Sequence, residues 1–164
     1  MTMMKAKAPV EVTTPSDREV VVVRKFNAPK ALVFDAFVKP ELIKRWLLGP
    51  DGWSLPVCTI DLRVGGKFRY VWREDATGTE MGLSGEYRAI EPPDRIVHTE
   101  TFDDYSPEGE AVITTLFREK DGKTVVEMSM LFPSKTARDG GIANGMTDGM
   151  AISYDRLDEV LLAI

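Results

Sequence analysis

The chain has one histidine, His98, and its placement two residues before Glu100 is the arrangement most suited to chemistry. Arg95 to Phe102 reads as a β-strand, in which alternate residues share a face, so Ile96, His98, Glu100 and Phe102 project together. An imidazole and a carboxylate on one face can anchor a polar ligand group or move a proton, so His98 and Glu100 are the candidates for any catalytic role. If that face points inward, both groups need partners, because an unpaired buried charge is costly. They can satisfy one another, or bond Tyr70, Tyr87 or Arg69 in a structural network, and a register slip of one residue would expose both.

Other chemistries find no support in the residue pattern. A single cysteine, Cys58, rules out an internal disulfide framework and a cysteine-based zinc site, and one histidine cannot supply a His-rich metal site. Gly65-Gly66 is a turn between strands with no helix after it, so it is no phosphate loop. No serine lies in a nucleophile elbow. The reading is therefore of no metal, no cofactor, and a binding role in preference to an enzymatic one.

What surrounds the polar pair is apolar and adaptable. Phe68, Tyr70 and Trp72 alternate with Lys67, Arg69 and Arg73, which places three aromatics on the inner face of a strand; Val126, Met128, Met130 and Phe132 share a face of another. Met146 and Met150 face them from a C-terminal helix, read as one element from Gly141 to Ile164. At about 100° per residue, Ile142, Met146, Gly149, Met150, Ser153, Leu157, Val160, Leu161 and Ile164 form its apolar stripe. Gly149 and Ser153 stand at the centre of that stripe, where Leu or Ile would be ordinary. The notch either leaves space for a ligand or lets the helix sit closer to the strands. The candidate ligand-binding set is thus Phe68, Tyr70, Trp72, Tyr87, His98, Glu100, Met128, Met130, Met146, Gly149, Met150 and Ser153.

These residues must be positioned by the elements around them. Residues 1–17 are polar, proline-containing and aperiodic, and are expected to form a flexible leader before a single domain over 18–164. Glu19 to Phe26 is a β-branched strand, followed by Asn27 as a helix cap ahead of Pro29 and by two short helices, the second from Glu41 to Leu47. From Val57 to Phe132 the period is two, with six strands separated by turn signals, the last pair a hairpin across Asp121-Gly122. A meander of that length has one face to hide and one element long enough to hide it, which predicts an α+β fold in which a curved antiparallel sheet wraps the C-terminal helix.

With 164 residues and 43% hydrophobic content the chain can bury one core of ordinary size, and its net charge of −5 with scattered basic residues argues against nucleic acid. No apolar run approaches membrane length and none resembles a signal peptide, so a cytoplasmic protein is expected. The edges of the sheet, the first strand or the one beginning at Val57, leave a monomer or a weak homodimer open.

The order of elements, with Trp46-Leu47-Leu48-Gly49-Pro50, Asp61-Leu62-Arg63-Val64-Gly65-Gly66-Lys67-Phe68, Gly85-Glu86-Tyr87, Pro92-Pro93-Asp94-Arg95-Ile96-Val97 and Gly122-Lys123-Thr124, resembles the AHSA-type proteins over residues 18 to 163. These are homologues of the activator of the heat-shock-protein ATPase, within the START and birch-pollen-allergen helix-grip (SRPBCC) superfamily. The resemblance implies the helix-grip fold and a cavity between sheet and long helix, suited to a small hydrophobic or amphipathic molecule. It also implies two alternatives, a chaperone-associated interaction domain in the stress response and a cyclase or aromatase-like enzyme without metal.

Overall fold

The computed structural model describes residues 9–104 and 108–164. Eight antiparallel strands form one sheet in the order β1-β2-β8-β7-β6-β5-β4-β3: β1 Glu11–Thr13, β2 Glu19–Phe26, β3 Trp53–Ile60, β4 Lys67–Glu74, β5 Glu80–Glu91, β6 Arg95–Phe102, β7 Ala111–Lys120 and β8 Lys123–Leu131. Alternation decides which side of each strand is dry. Val20, Val22, Arg24 and Phe26 of β2 are buried, as are Ala111, Ile113, Thr115 and Phe117 of β7 and Thr124, Val126 and Met130 of β8.

Two short helices, α1 Lys30–Val38 and α2 Pro40–Trp46, connect β2 to β3 and close one end of the inner face. Pro29 caps α1, in place of the expected Asn27, with no capping bond of its own, and the Lys30 N–H at that terminus donates to Glu119 Oε1 at 2.6 Å. Val33, Phe34, Ala36, Ile43 and Trp46 turn inward, and the Trp46 indole N–H donates to the Ala36 carbonyl at 2.9 Å, fixing α2 against α1.

Two expectations are corrected. Residues 1–17 were expected to be a flexible leader, but Glu11–Thr13 is the edge strand β1, in register with Val23 to Val21; residues 1–8 lie outside the described part. The cause is the free edge of β2, whose backbone groups gain partners there. The helix expected from Gly141 to Ile164 is two helices, α3 Lys135–Ala143 and α4 Met146–Ala163. Gly145, with φ 80°, turns the backbone into the left-handed region that favours glycine and so ends one axis and begins another.

Candidate functional site

Three neighbouring strands bring the chemically capable residues together. On β4, Phe68, Tyr70 and Trp72 all face inward and are nearly fully buried. Phe68 can lie flat to the sheet because its neighbour across β5 is Gly85: a Cβ there would stand 2.4 Å from the ring and 2.0 Å from the Thr99 carbonyl. Tyr87 on β5 stands directly opposite His98 on β6, beside a register shift between Tyr87 and Ala89. Such a bulge re-aims the side chains next to it. Phe68 meets Tyr70 at 5.0 Å, Tyr87 at 5.5 Å and His98, edge-on, at 5.2 Å between ring centroids.

His98 and Glu100 both point inward and join each other, His98 Nε2 lying 3.0 Å from Glu100 Oε2. An ionised carboxylate only accepts, so Nε2–H is the donor of this bond, and in the neutral imidazole Nδ1 is then the acceptor. The self-satisfied pair anticipated as one alternative is thus what the structure contains.

Phe37, Phe68, Tyr70, Tyr87, Ile96, His98 and Thr115 enclose a cavity of about 30 Å³. That is room for one or two waters, against ~300–1,000 Å³ for a typical ligand pocket. Its location differs from the expected gap between sheet and C-terminal helix: α1 contributes Phe37, and neither α3 nor α4 lines it. The cavity lies where the sheet aromatics meet a second cluster, Phe26, Phe34, Phe37, Trp46, Phe117 and Tyr154, in which Phe37 meets Trp46 at a tilt at 5.0 Å and Phe117 edge-on at 5.3 Å.

The site holds its phenols neutral. Burial pushes Tyr70 well above the ordinary phenol range, helped by Tyr87, Cys58 and Glu100 nearby. Burial also pushes Tyr87 up to about 12, with Cys58 adding and a hydrogen bond with Tyr70 opposing. Tyr154 is raised too, by burial first and then by Glu100, with Arg24 opposing. Glu100 therefore acts on phenols from both the sheet and α4.

The remaining residues of the expected set lie elsewhere. The Trp72 indole N–H donates to the Leu47 carbonyl at 2.8 Å and ties the end of α2 to β4. Met128 lies 4.0 Å from the Tyr154 hydroxyl, which donates to its sulfur, and Met130 is core. Met146 and Met150 are half-buried and pack on the core from the first turns of α4. Of the notch at Gly149 and Ser153, the Ser153 half is filled and the Gly149 half faces open space. Ser153 Oγ accepts from the Gly49 N–H at 3.1 Å, so the loop after α2 fills its place, and a Cβ on Gly149 would meet nothing within 4 Å.

Residues that sequence reasoning missed are Phe37, Thr115, Tyr154 and Arg24. Arg24 is buried under α4, its Nη1 3.1 Å from Asp155 Oδ1 and its Nη2 4.0 Å from Asp158 Oδ2, and its guanidinium lies 5.1 Å from the Phe26 ring centroid. The signal for it was present, since Arg24 shares strand parity with Val20, Val22 and Phe26. Among the described residues no group of three or more His, Cys, Asp or Glu side chains is placed to hold a metal ion, and no helix is long and apolar enough to cross a membrane.

A curved antiparallel sheet with short helices at one end and a long helix across its inner face is the helix-grip architecture. Residues 27–162 match the family model described as activator of Hsp90 ATPase homolog 1-like protein, and the chain belongs to that family. Solved structures agree. A protein from Rhodobacter sphaeroides is 29% identical, with 94% of this chain and 99% of that one covered, at a TM-score of 0.87. One from Staphylococcus epidermidis is 26% identical, covering 99% and 94%, at 0.74. A third, from Mycobacterium smegmatis, is 21% identical over 93% and 97% at 0.83, and is a likeness of fold alone. No curated protein matches the chain.

Proposed function

We propose that this protein binds a small, mostly apolar molecule carrying one hydrogen-bonding group, inside the space between sheet and helices. The observation that supports this is the convergence of Tyr70, Tyr87 and His98, from three strands, on a cavity otherwise lined by Phe37, Phe68, Ile96 and Thr115, with Glu100 bonded to His98 beside it. A buried polar end sets orientation, and aromatic walls supply area. At about 30 Å³ the cavity admits a ligand only if a wall gives way. The helical side of the cavity is Phe37 of α1, and the part of the helical layer best able to shift and give it room is α3 with the first turns of α4, where no residue of α3 is buried and Met146 and Met150 can repack. His98 and Glu100 serve here as an anchor: His98 Nδ1 accepts from a ligand hydroxyl or amide while Glu100 holds the ring.

Native mass spectrometry of freshly purified protein, compared with the denatured mass, tests the reading. A copurified molecule is expected, and His98→Leu should weaken its retention by roughly 10- to 100-fold, the value of one buried hydrogen bond. Equal masses, with no thermal shift across a panel of small hydrophobic alcohols and phenols, would remove the proposal.

A second reading follows from the family's description, a domain that acts on a heat-shock ATPase. Its test is the ATP turnover of an Hsp90 with and without this protein. Unchanged turnover and no binding would dismiss it.

A further inference from the structure

On the outer face of the sheet, away from the cavity, the β7–β8 hairpin and β2 form a cleft of about 270 Å³ lined by Lys25, Lys120, Lys123, Val125 and Asp121. Strand register explains the convergence. Lys25 stands opposite Val125, Lys123 lies two residues before Val125 on the same face, and Lys120 is the direct cross-strand partner of Lys123.

This arrangement costs stability as it stands. Like charges directly opposite on antiparallel strands destabilise a hairpin, and Lys120 and Lys123 flank its two-residue turn. Among the described residues, Lys30, Lys39 and Lys135 are ion-paired, whereas Lys25, Lys44, Lys67, Lys120 and Lys123 have no such partner, and three of these five meet in the cleft. The nearest outward carboxylate along β8, Glu127, is taken by Arg118 at 3.6 Å. Asp121, in the turn, is the single acidic group lining the cleft. Three ammonium groups against one carboxylate leave a net charge of about +2 in a concave site, on a protein whose net charge is −5.

We propose that this cleft binds a phosphate dianion, free or as the head of a monoester. A phosphate carries about −1.5 to −2 near neutrality and offers three oxygens in different directions, which matches three separate, rotatable ammonium donors; a planar carboxylate would be matched better by an arginine fork. The half-buried Val125 side chain between Lys25 and Lys123 gives an apolar floor for the organic part of the ester.

The test is amide NMR titration at constant ionic strength with inorganic phosphate and, separately, phenyl phosphate, with acetate as the comparison anion. Saturable shifts are expected at Lys25, at Lys120 to Lys123 and at Val125, with acetate far weaker. Tighter binding of phenyl phosphate with larger Val125 shifts identifies an organic ester as the ligand. Equal binding of the two identifies free phosphate, and both outcomes support the site. Lys123→Glu should weaken binding by about tenfold or more, Lys120→Gln by less, and Lys67→Glu on another part of the surface not at all. Lys120→Gln keeps the test decisive if the charge reversal disturbs the hairpin. Non-saturating shifts spread equally over Lys39 and Lys67, or binding unchanged in both cleft variants, would overturn the proposal.

Discussion

From Ser153 to Leu161, α4 is tied at every turn: Ser153 and Arg156 hold Gly49 and Asp51, Asp155 and Asp158 approach the buried Arg24, and Tyr154, Leu157, Val160 and Leu161 are buried. From Lys135 to Met150, the same helical layer has no fully buried residue. It touches the rest through the half-buried Met146 and Met150 and through Arg138, whose Nη1 donates to the Ser16 carbonyl at 2.6 Å, and carries glycine at 140, 141, 145 and 149. Full burial, and most of the polar clamps, thus fall on one half of one layer. The stability of a region follows its buried apolar area and its fixed partners, so the second half is the part that can lift while the first stays closed.

The largest test is a pair of truncations. Leu157→Ala, at a fully buried position, should cost about 2–5 kcal/mol in urea unfolding, and Met146→Ala roughly 1 kcal/mol or less. Equal costs would erase the distinction between the two halves.

Alkali gives a second test, because the raised phenols are neutral only while the interior stays dry. A folded-state value of about 12 for Tyr87, against roughly 10 when unfolded, means the folded state holds its proton longer. That contribution is fully present below about pH 10 and is lost as pH rises towards 12, on the order of 2–3 kcal/mol from this group. Phenolate absorbance followed beside circular dichroism should show Tyr70, Tyr87 and Tyr154 ionising only with unfolding. Ionisation of Tyr70 and Tyr87 before Tyr154, with the fold intact, would show the loosely held half opening on its own.

Removing one clamp is expected to have a smaller effect. Asp155→Ala leaves Arg24 buried with Asp158 at 4.0 Å, a loss of about 1–2 kcal/mol once the 41% exposure of the Asp155 side chain is allowed for. Arg24→Met combined with Asp155→Ala should recover part of it. The smallest effect has the opposite sign. Gly149→Ala meets open space on a helix and should stabilise by about 0.5–1 kcal/mol, read as a rise in melting temperature.

The fold was legible because alternation and turn residues are local. The alternation that buries Phe68, Tyr70 and Trp72, the parity that turns His98 and Glu100 inward, and the Asp121-Gly122 hairpin all follow from neighbours in sequence. The site was legible only in part, because what closes a cavity is a long-range event. Phe37 and Thr115 come from α1 and β7, and nothing near them in the chain marks them as neighbours of His98. The phase of the last helix, taken from Ile142, carries across the break at Gly145 for Ser153, Leu157, Val160 and Leu161, which are buried as projected, whereas the buried Tyr154 falls just beyond the edge of the projected stripe. The notch misled for a related reason, since Ser153 is filled by a loop more than a hundred residues away.

The pairing of β2 with β8 has a consequence for how the protein is made. The partner of Glu19–Phe26 is Lys123–Leu131, so roughly a hundred residues must leave the ribosome after the first long strand before its ladder can close, on the order of 5–20 s at ordinary elongation rates. Through that interval Val20, Val22 and Phe26 have neither their β8 neighbours nor the α4 face that covers them. A ribosome stalled before β8 would therefore present an unfinished, adhesive sheet edge.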